Sequence, residues 1–504
     1  MLLAKPEICA KTDIAPGRPR IAFLLPDGED GGADARFSLA ETAYHDAGLS
    51  LDQVDHPILV VPTGPNPGPY VLIRIDEDRG KIRSRAGSAL RALQAHRVQA
   101  CTVLLPDADT ATIQAIVEGI LSANHVFTSD GPARGRMHVI TDLNFAFDKP
   151  GEESARAVNR AWLTSLASLN ARDLATEPAN TLTPEVFKQR CVELAGDTGM
   201  DITVMERPDL EAAGMQGILT VSAGSAHDAY LIELAWRPGG LVGEAEAAPV
   251  VLVGKTVTFD SGGISLKNAL DMDHMKADMG GGAAVFGLMQ MVAALAPEFP
   301  VTAVFAVVEN MPGPNAMRPS DVIRTASGKT VEIINTDAEG RLILADALHH
   351  AAGMNPRVVI DFATLTGASA GIFGPIGIGT FSNDDAWFKR LQDADAFACE
   401  RVWRLPLWEQ YLEFLKSPVA DLRNFSLIGH NGSTLTAAAF LMQFVGDHPW
   451  MHLDLYNTCW NASATDSLMP VGPTGSGARV VAQMLINMTE HNHRNTTSKN
   501  RNTV

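Results

Sequence analysis

The stretch VEIINTDAEGRLILADALHH, residues 331–350, joins a short apolar run to an apolar helical pattern through a polar junction. The apolar run predicts a strand and the later periodicity predicts a helix, the repeating unit of an α/β fold. Because residues i and i+2 of an extended chain point to the same side, four polar side chains are expected to face one space: Asn335, Asp337, Glu339 and Arg341. Ligands bind at such strand ends in α/β proteins. The alternative is a helix-start cluster, in which the acids stabilise the helix N-terminus and the arginine pairs with them.

The stretch VVLVGKTVTFDSGGISLKNALDMDHMKADMGGGAAVFGLM, residues 250–289, carries a second set of charges. It places two lysines and two acids near another strand end: Lys255, Asp260, Lys267 and Asp278. Each acid alone is expected to be a solvated loop residue, but together the two stretches bring several carboxylates to strand ends. Such a cluster would repel itself and raise its own pKa values unless cations are present. Acids without matching histidines or cysteines therefore suggest oxygen-rich coordination of two divalent ions, as in two-metal hydrolases.

The composition is that of a globular protein with a large core. Of the 504 residues, 46% are hydrophobic and 19% are charged, and no apolar run in the sequence suggests a membrane span. The N-terminus lacks the apolar segment of a secretory signal, and the five cysteines form no CxxC pair, which predicts reduced thiols and a cytoplasmic location. A net charge of −18 argues against general binding to nucleic acids or anionic membranes.

Strand-like runs alternate with helical patterns along the chain. The predicted fold class is therefore α/β, with two domains that each contain a mostly parallel or mixed sheet flanked by helices. An N-terminal α/β domain is expected over residues 1–150 and a linker helix over residues 151–180. The larger domain is expected over residues 181–488, and it contains both charged stretches. The polar tail, residues 489–504, is predicted to be disordered.

The charged stretches resemble the signature segments of a known family. GKTVTFDSGGISLK, MKADMGG and NTDAEGRLILADAL are similar to segments of the leucyl aminopeptidase (cytosol aminopeptidase) family. The similarity extends over nearly all of residues 150–485, with further matching segments such as ARDLATEPANTLTP, ENMPGPNAMRPSDV, DFATLTGAS and SPVADLRN. The resemblance implies a metal-dependent aminopeptidase that releases N-terminal residues, leucine-like ones among them, from peptide substrates by means of a water that bridges two metal ions.

The resemblance also implies a set of site residues and an assembly. The family's ligands to two zinc or manganese ions fall on Lys255, Asp260, Asp278, Asp337 and Glu339. Its two catalytic positions fall on Lys267, an oxyanion donor, and Arg341, which in the family holds a bicarbonate that shuttles the proton. Arginine has no accessible neutral form, so it cannot itself be the base. The family implies a homohexamer whose catalytic domains lie at the centre.

Seven positions are expected to line the substrate-binding site: Met275, Asn335, Thr364, Leu365, Gly367, Tyr456 and Cys459. One of them departs from the family, because WMHLDLYNTCW, residues 450–460, has Tyr456 and Asn457 where small residues are usual. A tyrosine would make the pocket narrower and more polar, so Phe and Trp substrates are expected to be cleaved poorly relative to Leu, Met or smaller ones. The alternative is that the tyrosine turns away into the subunit and leaves the pocket ordinary.

Two other functions are compatible with the resemblance. A catalytically silent relative kept as a structural or binding protein is expected to have lost metal ligands, and this chain has lost none. An additional DNA-binding role occurs in some family members, but the net charge of −18 makes nucleic acid an unfavourable partner.

Overall fold

The structure is a computed structural model of the chain, and it describes residues 5–10, 20–24, 58–60, 70–74, 78–127, 138–239, 248–463 and 468–501. The chain divides into two compact units. The first comprises Met1–Ser165 with Ser463–Pro470, and the second comprises Leu166–Ala462 with Val471–Val504. Sheets flanked by helices occur in both, which confirms the predicted α/β class.

The first unit contains a six-stranded sheet with the order β1-β6-β5-β2-β4-β3. Its strands are β1 Glu7–Ala10, β2 Arg20–Leu24, β3 Ile58–Val60, β4 Tyr70–Arg74, β5 Ala100–Leu104 and β6 Asp142–Phe147. All neighbours pair in parallel except β3 and β4, which are antiparallel. Several strands predicted for this unit extend into residues outside the described ranges.

Two helices of the first unit begin at aspartates that cap them. Asp78 precedes α1, Arg79–Ala95, and Asp109 precedes α2, Thr110–Asn124. Each aspartate accepts hydrogen bonds from backbone N–H groups of the first turn, which satisfies donors that have no partner inside the helix. The buried faces of both helices pack with the sheet into one apolar core.

The second unit is built on an eight-stranded mixed sheet with the order β15-β14-β17-β13-β9-β10-β8-β7. Its strands are β7 Asp201–Met205, β8 Tyr230–Trp236, β9 Val250–Asp260, β10 Val301–Asn310, β13 Val358–Ala363, β14 Ile378–Ser382, β15 Val402–Arg404 and β17 Trp450–Asp454. The central strands β10, β9, β13 and β17 are parallel to one another, so their carboxyl ends meet at one edge. The charged residues of the two stretches are expected at such an edge.

The remaining helices lie in the second unit, except that the first of them begins in the first unit. They are α3 Glu152–Thr176, α4 Pro184–Thr198, α5 Arg207–Ala212, α6 Gln216–Ser222, α7 Gly280–Leu295, α8 Gly340–Ala352, α9 Ser369–Phe373, α10 Asp385–Ala398, α11 Ser433–Leu441 and α12 Ala478–Arg501. Short 3-10 helices span Met272–Ala277, Glu409–Leu415 and Met442–Phe444. Strand β9 has helices on both faces: Thr256 contacts α7, and Lys255 contacts the start of α8. Ten of its eleven residues are buried, as expected for a central strand covered on two sides.

The apolar run at 331–334 is not a strand of the main sheet. Strand β12, Thr330–Glu332, pairs with β11, Val322–Arg324, and with β16, Leu422–Arg423, in a separate three-stranded sheet. Its alternating burial explains the placement, because a central strand of the main sheet would be buried on both faces. A final two-stranded sheet joins β18, Trp460–Asn461, to β19, Gly472–Pro473.

Two further features bear on the predicted boundaries. The division between the units falls within α3, the helix for which a linker was predicted. Helix α12 continues to Arg501, so it runs through most of the tail for which the polar composition predicted disorder. Its first turns are buried and mostly apolar, and a helix that tertiary packing has already nucleated adds further residues at little cost.

One helical segment, Met272–Leu295, is apolar and long enough to cross a membrane by length and composition alone. Within the most apolar part of this segment, 72% is buried inside the protein. This burial is typical of a core helix, and the segment therefore gives no support for a membrane span.

Candidate active site

Lys255 lies in the middle of β9 and is buried among acids. Its Nζ is 2.8 Å from Asp278 Oδ1 and 2.9 Å from Glu339 Oε1, and it donates to the carbonyl oxygen of Thr364 at 2.9 Å. The side chain reaches these groups past Gly340, where a Cβ atom would lie 2.6 Å from Lys255 Cε. Glycine at the first position of α8 therefore lets the helix start approach the lysine.

Lys267 reaches the same cluster from the loop that follows β9. Its Nζ is 2.8 Å from Asp260 Oδ2 and also forms an ion pair with Asp337. The loop turns at Gly262, whose φ is +87° and where a Cβ atom would lie 2.5 Å from the carbonyl oxygen of Ser265. The side chain of Lys267 remains 21% exposed, so it is accessible to a molecule that enters from solvent.

Asp278 is placed by the 3-10 helix that precedes α7. Its Oδ1 accepts hydrogen bonds from Lys255 Nζ at 2.8 Å and from the hydroxyl of Thr364 at 2.7 Å. Within the described residues, its other oxygen, Oδ2, is buried and has no hydrogen-bond partner. An unpartnered buried carboxylate oxygen is costly and is suited to an additional cation.

Asp337 and Glu339 come from the turn that links the small sheet to α8. Asn335 Oδ1 accepts a hydrogen bond from the Asp337 backbone N–H at 2.9 Å, and Asn424 holds the turn by donating to the carbonyl oxygen of Asn335 at 2.7 Å. Ligand oxygens of Asp260, Asp337 and Glu339 all lie within 4.8 Å of one another. The two charged stretches of the sequence thus meet in one carboxylate cluster.

The electrostatics of the cluster are strongly coupled. Burial and the neighbouring carboxylates raise the pKa of Asp260, and burial raises the pKa of Asp278 to about 7 despite Lys255. Burial also acts on Glu339, but Lys255 and Lys267 outweigh it and lower the pKa of this carboxyl. Burial disfavours the charged form of Lys255, yet Asp278 and Glu339 outweigh that effect and raise its pKa. With protein groups alone, the lysines are therefore ammonium ions that neutralise part of the acidic charge.

Arg341, in the first turn of α8, is buried beside the cluster. In the part of the chain that the structure describes, its Nε and Nη1 atoms have no hydrogen-bond partner. Burial lowers the pKa of the guanidinium to about 10, and Glu339 and Asp454 oppose this shift. The arginine is therefore charged at neutral pH, and its unpaired N–H groups are suited to an anion.

The predicted pocket positions come together in two groups. Thr364 Cγ2 and Cys459 Cβ both lie close to Gly280, at 3.3 and 3.7 Å from the place a Cβ atom would occupy. The Tyr456 ring packs against Gly367, 3.5 Å from the equivalent point, and Tyr456 is 40% exposed. The tyrosine ring thus lies against the 364–367 turn, and the residue remains partly exposed.

The remaining pocket positions differ in what they contact. Leu365 is half-buried and packs against the apolar core. Met275 is half-buried in the 3-10 helix, next to His274, whose ring stacks on Trp460 with centroids 4.0 Å apart. Asn457, the second departure from the family pattern, donates to the carbonyl oxygen of Gly377 at 2.8 Å and so holds a neighbouring loop.

Several supporting residues did not emerge from the sequence analysis. Asn310 donates to Asp260 Oδ1 at 2.8 Å and to the carbonyl oxygen of Thr336 at 3.1 Å, which ties β10 to both charged stretches. Asn424 and Asp454 are likewise buried and bonded to loops of the site. The sequence signal for a role of Asn310 and Asn424 is that both lie in segments that resemble the family.

Comparison with known proteins identifies relatives over most of the chain. Residues 169–482 match the catalytic domain of the cytosol aminopeptidase family. A probable cytosol aminopeptidase of Syntrophotalea carbinolica is 42% identical over 417 residues, which cover 81% of this chain and 82% of the relative. One of Cenarchaeum symbiosum is 40% identical over 413 residues, with coverage of 80% and 82%.

Solved structures give the same result. The bottromycin maturation enzyme BotP in complex with Mn has a TM-score of 0.82 at 30% identity, over 94% of this chain and 100% of that one. A tomato leucine aminopeptidase mutant has a TM-score of 0.81 at 26% identity, over 96% and 97%. The chain therefore belongs to the cytosol aminopeptidase family and is a peptidase, with the acids and lysines that its sequence separates gathered in one buried cluster.

Proposed function

We propose that the protein is a metal-dependent aminopeptidase of the cytoplasm that removes N-terminal residues, with leucine-like side chains preferred, from peptides. The observation that carries this proposal is the cluster of carboxylates whose ligand oxygens lie within 4.8 Å of one another. Three acids whose ligand oxygens lie this close together make a site that favours divalent cations.

Five residues would hold two divalent ions, zinc or manganese: Lys255, Asp260, Asp278, Asp337 and Glu339. The donor set fits, because it is rich in carboxylate oxygens and includes the unpartnered Asp278 Oδ2 noted above. Bound ions would supply Lewis acidity and an ionised water at neutral pH. Lys255 would bind through its neutral amine, so the protein must release a proton from this side chain when it takes up metal.

Two basic side chains would act on the peptide. Lys267, which is partly accessible, is suited to donate a hydrogen bond to the oxygen of the scissile carbonyl as negative charge develops there. Arg341 would hold a bicarbonate through its unpaired Nε and Nη1 groups, and the anion rather than the arginine would accept the proton. Lys267 lies close enough to the cluster for its role, since its Nζ is 2.8 Å from Asp260 Oδ2, and Arg341 is buried two residues after Glu339.

The substrate's N-terminal side chain would enter the space lined by Met275, Thr364, Gly367, Tyr456 and Cys459. Tyr456 narrows this space because its ring packs on Gly367. Small and medium side chains are therefore favoured over Phe and Trp. Asn335 and Leu365 would contribute by shaping the adjoining turns rather than by direct contact.

A homohexamer is the assembly we propose for this chain. Large apolar side chains of the second unit are exposed on the isolated subunit, among them Leu266, Leu270, Ile376, Trp408 and Val419. Exposed apolar side chains in such number favour burial between subunits. The number of copies rests on the family resemblance alone, which implies a homohexamer.

The first test is hydrolysis of Leu-p-nitroanilide by protein stripped with a chelator, before and after addition of Mn²⁺ or Zn²⁺. We expect no turnover by the stripped protein and recovery on addition of one of the ions. A folded protein that binds metal but shows no turnover would instead be the silent structural relative. A DNA gel shift at moderate salt tests the third function, and the net charge of −18 predicts no shifted band.

A further inference from the structure

Asp454 is a buried carboxylate that belongs to none of the predicted metal or catalytic positions. It ends strand β17 and has no exposed surface. Its Oδ2 accepts a hydrogen bond from the hydroxyl of Thr366. Its Oδ1 lies 3.3 Å from three backbone nitrogens, those of Leu365, Thr366 and Tyr456. One carboxylate therefore joins the 364–367 turn to the start of the segment that carries Tyr456.

Both joined segments contact the candidate site. At one end of the turn, Thr364 bonds to Asp278 through its hydroxyl and to Lys255 through its carbonyl oxygen. At the other end, Gly367 packs against the ring of Tyr456. A shift of the turn relative to Tyr456 would change the width of the pocket and would also move Thr364.

Asp454 differs from a buried carboxylate that bonds to backbone alone, because the side-chain hydroxyl of Thr366 also donates to it. A neutral amide could accept the same backbone hydrogen bonds, whereas a buried carboxylate is costly unless positive charge is near. Burial raises the pKa of Asp454, but the nearby His452 and the hydrogen bonds from Thr366 and Tyr456 oppose this shift and favour the ionised carboxylate. His452 is itself oriented by Asp361, whose Oδ1 is 2.6 Å from its Nδ1. The hydrogen bonds from Thr366 and Tyr456 are therefore the contacts through which Asp454 acts on the pocket.

We infer that Asp454 is a positioning residue that sets the width of the side-chain pocket by joining the 364–366 backbone to Tyr456. This inference rests on the proposed aminopeptidase function. The pocket discriminates between N-terminal side chains only while the two segments keep this fixed separation. Thr366 completes the connection, and its hydroxyl is also 2.8 Å from that of Thr434.

The experiment compares four variants with the wild type. Asp454→Asn removes the charge, Thr366→Val removes the hydroxyl, and Thr366→Ser restores it. The matched control is Asp346→Asn, since Asp346 is an equally buried carboxylate that accepts backbone hydrogen bonds, at 3.1 Å from Ile218 and 2.8 Å from Ala326, outside the pocket. For each protein, kcat and KM are measured with Leu- and Gly-p-nitroanilide, and amide exchange is followed in peptides that cover 364–367 and 455–457.

We expect Asp454→Asn and Thr366→Val to lower the Leu-to-Gly ratio of kcat/KM by about tenfold, the effect of losing one strong hydrogen bond. Both should also speed amide exchange in the two peptides, while Thr366→Ser returns both readouts to near wild-type values. Asp346→Asn should lower the thermal midpoint without changing the ratio. If Asp454→Asn and Thr366→Val changed only the thermal midpoint, the inference would be overturned. A wild-type protein without turnover would refute the proposed function. In that case amide exchange still tests the inference, which would be overturned if the Asp454→Asn and Thr366→Val variants exchanged at the wild-type rate.

Discussion

The part of the chain that the structure describes provides hydrogen-bond partners for only one of the two carboxylate oxygens of Asp278. One carboxylate oxygen is held by Lys255 and Thr364, and the other is buried without a partner among the described residues. The fold satisfies half of this side chain and leaves the other half available to a cation. This asymmetry makes Asp278 the most informative position at which to remove a charge.

Asp278→Asn is expected to lower kcat/KM for Leu-p-nitroanilide by at least about 100-fold, because an amide is a weaker ligand for a divalent ion. The thermal midpoint should change little, since the amide can still accept from Thr364. Activity and metal content, measured by mass spectrometry, check both statements. Asp273→Asn is the control, because Asp273 is an exposed acid of the same 3-10 helix. Near-normal activity of Asp278→Asn with added metal would contradict the two-metal proposal.

Tyr456→Ala is expected to raise the kcat/KM of Phe relative to Leu substrates by about tenfold or more. The ring occupies space over Gly367, and even one methylene in an apolar pocket changes discrimination by about 1–3 kcal/mol. A panel of aminoacyl p-nitroanilides measures the ratio. Tyr456→Phe, which keeps the ring and loses the hydroxyl, should retain the wild-type order. If Tyr456→Ala gained nothing on Phe or Trp substrates, the ring would not limit the pocket.

At the scale of single elements, helix starts are the clearest local signals in this chain. Asp109 accepts hydrogen bonds from the backbone N–H of Ala111 at 2.9 Å and of Thr112 at 3.1 Å, and from the Thr112 hydroxyl at 2.8 Å. Burial opposes ionisation, but the bonds from Thr112 and the nearby Arg79 outweigh it and lower the pKa of Asp109. The carboxylate of Asp109 therefore caps the helix in its ionised form.

Asp109→Ala is expected to reduce the free energy of unfolding of the first unit by about 1 kcal/mol at pH 7. Because the folded-state pKa lies below the unfolded value, this stabilisation is present above about pH 4 and is lost as pH falls through the folded pKa. Urea titrations at pH 7, 5 and 3, of which only the last lies below the unfolded pKa, measure the difference between the variant and the wild type. Asp107→Ala, at an exposed position two residues earlier, should have little effect at any pH. A constant difference at all three pH values would argue against capping by the ionised carboxylate.

At the scale of the whole molecule, the main prediction concerns assembly. Six chains of 53.8 kDa amount to about 320 kDa, which light scattering coupled to size-exclusion chromatography can distinguish from smaller species. We expect a single species near this mass at micromolar protein concentration, with the exposed apolar side chains of the second unit buried between copies. A stable monomer under these conditions would refute the hexamer. Leu270→Glu, at a position 82% exposed on the isolated subunit, should weaken assembly if that loop lies at an interface.

The sequence by itself determined the fold class and the identity of the acids and lysines in the cluster. Apolar runs that alternate with helical periods predict an α/β sheet, because local periodicity follows directly from which faces are buried. The spacing around Asp260, Asp278, Asp337 and Glu339 resembled a family closely enough to name each candidate ligand. These are properties of short segments, and short segments are visible in a linear sequence.

Only the tertiary structure decided how those segments meet. The run at 331–334 has a strand's composition, yet it pairs in a small separate sheet, since partner choice depends on distant strands rather than on the run itself. The support of Asp260 by Asn310 and the joining of two pocket segments by Asp454 connect residues 50 and 88 positions apart in the chain. Contacts at such separations leave no periodicity in the sequence, and they exist only because parallel strands bring their carboxyl ends to one edge of the sheet.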